Sequence, residues 1–197
     1  MSHLPLEQQL ALYRKGPFYW PEDEAALVQS EQFLKSHPDV FHRRHLVGHF
    51  TGSGLVFTPE GPPDGTGPQV ALIHHRKLGM WIQLGGHADG NPDLAEVALR
   101  EAEEESGLTS LSFFPDAPPL LPFDLDVMVV PARPEAPEHL HYDVRYLLLC
   151  PTALPIQANP EAHEVAWLSI EEAERRCQRA PTMMRQLAKL TGALGPR

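Results

Sequence analysis

Apolar positions recur at helical spacing in two early stretches: residues 6–13, through Leu6, Leu10, Leu12 and Tyr13, and residues 22–34, through Ala25, Leu27, Phe33 and Leu34. Gly16-Pro17 breaks the pattern between them. The spacing predicts a helical amino-terminal extension over residues 1–40. From about residue 47 the period shortens, and runs rich in aromatic and β-branched residues at 50–57, 69–74 and 81–84 read as strands. Further strand-like runs at 123–130, 140–149 and 165–169 are separated by proline-rich stretches at 115–122, 131–137 and 151–160. Proline cannot donate to a sheet ladder, so its confinement to these intervals marks them as loops, as it does for 59–68. Helical character returns at 171–177 and 183–194, the second led by Pro181 at a first-turn position. One helical segment, residues 92–106, lies between the two groups of strands. This order predicts an α+β fold, a mixed sheet covered by helices, with residues 41–197 forming the main domain and a closing carboxy-terminal helix.

The central helix carries the chemistry. Asn91 reads as its cap, Pro92 as its first residue, Asp93 as a favourable charge at the positive end of the dipole, and Gly107 as its left-handed stop. At about 100° per residue, Glu101, Glu104 and Glu105 fall within roughly a 100° arc of one face. Like charges so placed repel by a few tenths of a kcal/mol per pair, a term whose sign a bound divalent cation reverses. Hard carboxylate oxygens suit Mg²⁺ or Mn²⁺. The competing reading is a solvated acidic helix face, the common explanation of a charge run.

Residues 85–108 decide between the two. They resemble the Nudix box: Gly86, Arg100, Glu101, Ala102, Glu104, Glu105, Gly107 and Leu108 stand in its register, preceded by Gly85, while Pro92 replaces the first glutamate. With each residue type near 6–7% usage, such a coincidence arises on the order of once in 10⁸ starting points. The resemblance implies a Nudix-like α/β/α sandwich and metal-dependent hydrolysis of a diphosphate linkage in a nucleoside diphosphate joined to another moiety. It implies metal ligands at Glu101, Glu104, Glu105 and Gly85, with Arg100 orienting the glutamates by salt bridging. The general base is Glu104, Glu105 or Glu161, the last lying six residues before Trp167. Asp89 or Asp93 is the candidate replacement for the glutamate missing at Pro92. Two alternatives use the same fold: a non-catalytic nucleotide-diphosphate sensor, and an isopentenyl-diphosphate isomerase. The first is weakened by retention of all three helix carboxylates, the second by glycines where a nucleophilic cysteine belongs.

Substrate contacts are expected elsewhere as well. Alternation along 139–145 puts His139, His141, Asp143 and Arg145 on one strand face. The strip either meets substrate, with Arg145 holding a phosphate bidentately, or is a structural ion pair between Asp143 and Arg145. His87, beside Gly86, and Arg76, in the run His74-His75-Arg76-Lys77, are further candidates. Trp81 and Phe123 read as core. Eleven histidines raise the question of zinc, yet none has the spacing of a zinc motif and a catalytic zinc requires three protein ligands; zinc is not expected.

A formal net charge of −10 excludes a broad surface for duplex nucleic acid. Phosphates must then be met locally, by metal and a few basic side chains, in a small nucleotide derivative. Cys150 and Cys177, the chain's two cysteines, read as free thiols of a reducing compartment. No signal-peptide core or membrane-length apolar run is seen, which predicts a cytoplasmic protein without membrane contact. A homodimer is compatible with this reading.

Overall fold

The computed structural model describes residues 4–61, 67–115, 120–134, 136–157, 162–178 and 180–195. Helix α1 (Leu6–Tyr13) and, after a single 3₁₀ turn, α2 (Glu24–Ser36) precede strands β1 (Gly48–Thr58), β2 (Gln69–His75), β3 (Met80–Ile82) and β4 (Leu84–His87). Helix α3 (Leu94–Ser106) follows, then β5 (Ser112–Phe113), β6 (Asp124–Val130), β7 (His139–Leu149) and β8 (Ala162–Ser169). Helices α4 (Ile170–Cys177) and α5 (Pro181–Leu194) close the chain. The strands hydrogen-bond in the order β3-β2-β1-β7-β5, with β4 on β1, β6 on β7 and β8 on β2. The α+β class, mixed sheet and helical ends are as the sequence predicts.

Two differences have physical causes. Helix α3 starts at Leu94, because the Asn91 side chain accepts from Asp93 N–H (2.9 Å) and closes a turn before the helix. Capping therefore passes to Asp93, whose carboxylate accepts from Glu96 N–H (3.2 Å). Strands β4 and β5 were hidden: the first is built around Gly85-Gly86 and the second is two residues long, so neither shows a period.

Internal contacts divide the chain into two compact units. The first comprises Met1–Ser53, Gly85–Ala98 and Pro115–Tyr146. In it, Phe33 of α2 stacks on Tyr142 of β7 at 4.1 Å, and the Tyr146 hydroxyl donates to Gln9 of α1 at 2.8 Å. The amino-terminal helices thus share a core with β1, β6 and β7. Period two sorts the strands into faces: Phe50, Tyr142 and Tyr146 meet the helices, while His49, Thr51, Ser53, His141, Asp143 and Arg145 point the other way.

The second unit comprises Gly54–Leu84, Leu99–Phe114 and Leu147–Arg197. Its sheet centres on β2, paired antiparallel with β1 (Val56 opposite Ala71), β3 (Ile73 opposite Ile82) and β8 (Ala71 opposite Trp167). Val56, Ala71, Ile73, Leu84, Leu148 and Cys150 form a core on which α3 lays Ala102, with Leu108 just beyond the helix. Each fully buried aliphatic side chain of this kind contributes roughly 1.5–3 kcal/mol. That burial fixes the rotation of α3 and so decides which way its glutamates face. Among the described residues no helix is long and apolar enough to cross a membrane.

Candidate functional site

With Ala102 turned into the core, the carboxylates of α3 are graded in exposure. Glu105 is buried at 6%, the Glu101 side chain is 18% exposed and the Glu104 side chain 60%. Glu101 and Glu105 are four residues apart and share one face, one turn from each other. Arg100 ties the cluster together: its Nη1 lies 2.8 Å from Glu101 and 3.3 Å from Glu104. Among the described residues, the three glutamates do not form a group with oxygens drawn together to metal-binding distance. The helix stops at Gly107, whose φ of +73° allows its N–H to donate to the Glu103 carbonyl at 2.8 Å. Arg76 is exposed in the turn between β2 and β3. Glu161 lies outside the described residues.

The glycine turn belongs to the first unit. At Gly85 a Cβ would come within 2.6 Å of the Ser53 Cα, so β4 can lie against β1 only if this residue lacks a side chain. Ser53 itself, with Thr51, donates to one oxygen of Asp143 (2.7 and 2.8 Å). The candidate replacements for the missing loop glutamate have other employment: Asp89 takes two hydrogen bonds from Arg43 (2.7 and 2.5 Å), and Asp93 caps α3.

For Arg145 the structure takes the second of the two readings, the structural ion pair: it is 1% exposed and shared among three carboxylates, Nε donating to Asp143 (2.7 Å), Nη1 to Asp124 (2.9 Å) and Nη2 to Asp126 (2.9 Å). The antiparallel register of β6 on β7 sets this up by placing Asp124 opposite Arg145 and Asp126 opposite Asp143. These three negative neighbours hold the guanidinium charged, well above its ordinary range, against the opposing effect of burial. Each of the three guanidinium nitrogens thus donates to a carboxylate, and at 1% exposure the group is closed off from solvent.

At the other end of the same strip, His139 and His141 stand with Nε2 atoms 3.3 Å apart, and His87 joins His141 with ring centroids 5.3 Å apart. The structure thus assembles three of the histidines singled out in the sequence. It adds a fourth that was missed: His49, 2% exposed, lies 4.6 Å from His141 and 5.2 Å from His87 between ring centroids. Phe123 is buried against Phe18 as a core residue, and Trp81 lies under the Arg176 guanidinium at 4.8 Å. Cys150 and Cys177 are both buried free thiols.

Comparison with known proteins gives these features a family. The NUDIX domain profile matches residues 55–189. Solved structures of the same fold include an Ap4A hydrolase from C. elegans in a binary complex (18% identity, 74% of this chain and 96% of that one, TM-score 0.56). A Nudix hydrolase from M. smegmatis, RenU, aligns at 19% identity over 76% of this chain and 89% of its own, TM-score 0.54. A NUDIX-family hydrolase from Clostridium perfringens aligns at 22% identity over 72% and 95%, TM-score 0.54. At these identities the structures speak to the fold. No curated protein matches the chain. The chain belongs to the Nudix family of pyrophosphohydrolases.

Proposed function

We propose that this protein hydrolyses the diphosphate linkage of a small nucleoside diphosphate derivative, with Mg²⁺ or Mn²⁺ held on α3. One observation carries the reading: in the Nudix register, Arg100 bridges Glu101 and Glu104 while Glu105 is sunk beside them. The donor set fits the ion. Glu101 and Glu105 are a pair of hard-oxygen ligands one turn apart and largely withdrawn from water, and Mg²⁺ commonly takes one or two carboxylates and leaves its other positions to water and phosphate oxygens. Bound there, the ion would neutralise charge on the diphosphate and lower the pKa of a coordinated water.

The chain's own groups supply the rest. Arg100 holds Glu101 in place and keeps Glu104 on the same face; it acts on substrate only through them. Glu104, the most exposed of the three, is the group placed to accept the proton of the attacking water, and would be the third carboxylate available to the ion. As that water's oxygen bonds to phosphorus, the bridging P–O bond breaks and the leaving phosphate departs with the electron pair. The C. elegans relative is an Ap4A hydrolase, which puts dinucleoside polyphosphates on the substrate panel beside nucleoside triphosphates, nucleotide sugars, ADP-ribose and capped RNA.

The test is that panel with Mg²⁺ or Mn²⁺, using wild type, Glu101→Gln and Glu105→Gln. Turnover of at least one diphosphate is expected, reduced about 100-fold or more in both variants. Equal activity in all three proteins refutes the assignment. Absence of product with every substrate, together with thermal stabilisation by one of them, makes the protein a sensor.

A further inference from the structure

The geometry points to a second metal site, made by the imidazoles of His49, His87 and His141 and suited to Zn²⁺. One nitrogen of each ring lies within 4.8 Å of the other two. Zn–N bonds of about 2.0–2.1 Å at tetrahedral angles put ligand nitrogens roughly 3.3 Å apart, so a contraction of at most about 1.5 Å, within reach of χ rotations, closes the cluster on an ion.

The three rings are inclined to one another at 36°, 55° and 85° while one nitrogen of each points into the same small volume, and His49 also stacks on His139 with ring centroids 5.1 Å apart. His49 supplies the independent sign of a missing partner. It is 2% exposed, and neither of its ring nitrogens has a hydrogen-bond partner of ordinary geometry. A buried polar group left in that condition destabilises a fold, a penalty that a coordinate bond removes. Imidazole binds a metal through a neutral ring nitrogen, and each of the three rings offers one.

The donor set discriminates. Three nitrogens without a carboxylate select a borderline ion such as Zn²⁺ over Mg²⁺ or Mn²⁺, for which the α3 glutamates are the matching chemistry. Three protein ligands leave a fourth position for water or an oxyanion. His139 stands beside the site, with Nε2 3.3 Å from that of His141 and Nδ1 fixed 2.8 Å from the Pro137 carbonyl oxygen. Ordered this way, it can hydrogen-bond a ligand in the open position.

The site is independent of the proposed hydrolysis, and the experiment keeps the two apart. Chelator-treated full-length protein is titrated with ZnCl₂ by calorimetry, and with CoCl₂ while the visible absorption of tetrahedral Co²⁺ is followed. The variants are His141→Ala, His87→Ala and the pair Glu101→Gln with Glu105→Gln. His87→Ala guards against misfolding, because His87 ends a strand and is only half-buried, and circular dichroism checks each protein. The expected result is one equivalent bound with Kd below about 1 μM, weakened at least about 100-fold in each histidine variant and unchanged in the glutamate pair. Wild-type binding weaker than about 100 μM, binding undiminished in His87→Ala and His141→Ala, or binding lost in the glutamate pair overturns the site.

Discussion

Replacing Arg145 by methionine keeps an unbranched side chain about as long as the arginine stem and removes the guanidinium from among Asp124, Asp126 and Asp143. Arg145 is 1% exposed, and two of its partners, Asp124 and Asp143, are 0% and 2% exposed. Thr51 and Ser53 still donate to Asp143 after the change, but Asp124 and Asp126 lose their hydrogen bonds from Arg145. Breaking a buried ion pair by removal of one partner destabilises by about 3–5 kcal/mol, because the remaining charge is left in a poor solvent. For a chain of this length each kcal/mol moves Tm by about 2–4 °C, so the melting point should fall by roughly 6–20 °C. The deficit should also depend on pH. A buried carboxylate stripped of its cation takes up a proton more readily than it does in the unfolded chain. Its folded-state pKa is then the higher of the two, so the associated stability is present in acid and is lost as pH rises through that value. Urea unfolding followed by circular dichroism at about pH 7.5 and about pH 5 reads both effects: the gap between variant and wild type should narrow in acid. A loss below about 1 kcal/mol at neutral pH, or a gap that widens in acid, would refute the reasoning and reopen Arg145 as a surface for phosphate.

Arg100→Ala should raise the Mn²⁺ concentration needed for half-maximal activity about 10- to 100-fold. Its stability by urea unfolding should change by less than about 1 kcal/mol, since the Arg100 and Glu104 side chains are 41% and 60% exposed and screened by water. Gly107→Ala should lower stability by about 1–2 kcal/mol through its backbone alone: φ is +73° and an added Cβ meets nothing closer than Gln157 Cβ at 4.0 Å. A loss above about 3 kcal/mol in chemical denaturation would mean a steric contact instead. Burial pushes the Cys177 thiol up to about 11, so iodoacetamide near pH 8 should label it far more slowly in the native protein than in urea. The fold favours the neutral thiol, so its contribution is intact below the unfolded pKa, near 8.5, and is lost as pH rises toward 11; rapid native labelling would show that the site opens.

Much of this was legible in the chain because the period of the apolar positions reports burial directly. Leu6, Leu10 and Tyr13 mark a helix that the structure places at the same bounds, and the alternation from His139 to Arg145 sets a polar strip against Tyr142, Val144 and Tyr146. The box residues were legible for a different reason: fixed chemistry demands fixed spacing, whatever the surrounding pattern. What the pattern does not contain is the identity of the element opposite. Whether Arg145 faces phosphate or carboxylate depends on β6, whose Asp124 and Asp126 arrive through a register that no local period encodes.

His49 was missed by one residue of strand phase. Read from Phe50, β1 starts on its core-facing side and the histidine before it drops into a loop. Read from Gly48, where the strand begins, His49, Thr51 and Ser53 alternate as a polar face. That face then matches His141 and Asp143 on β7, to which Thr51 and Ser53 are hydrogen-bonded. The matching also explains why no zinc spacing shows in the sequence. The three imidazoles come from β1, β4 and β7, one from each, so the distance between them is set by sheet geometry and not by loop length. A metal site assembled across strands leaves only single histidines at polar-face positions as its trace, and here two of the three sit in strands whose polar faces are otherwise committed to the buried Asp143 and Arg145 network. A buried network of that kind fixes the strands on which it is built, so the imidazoles are held in place by the Asp143 and Arg145 pair that the sequence left open between a substrate strip and a structural ion pair.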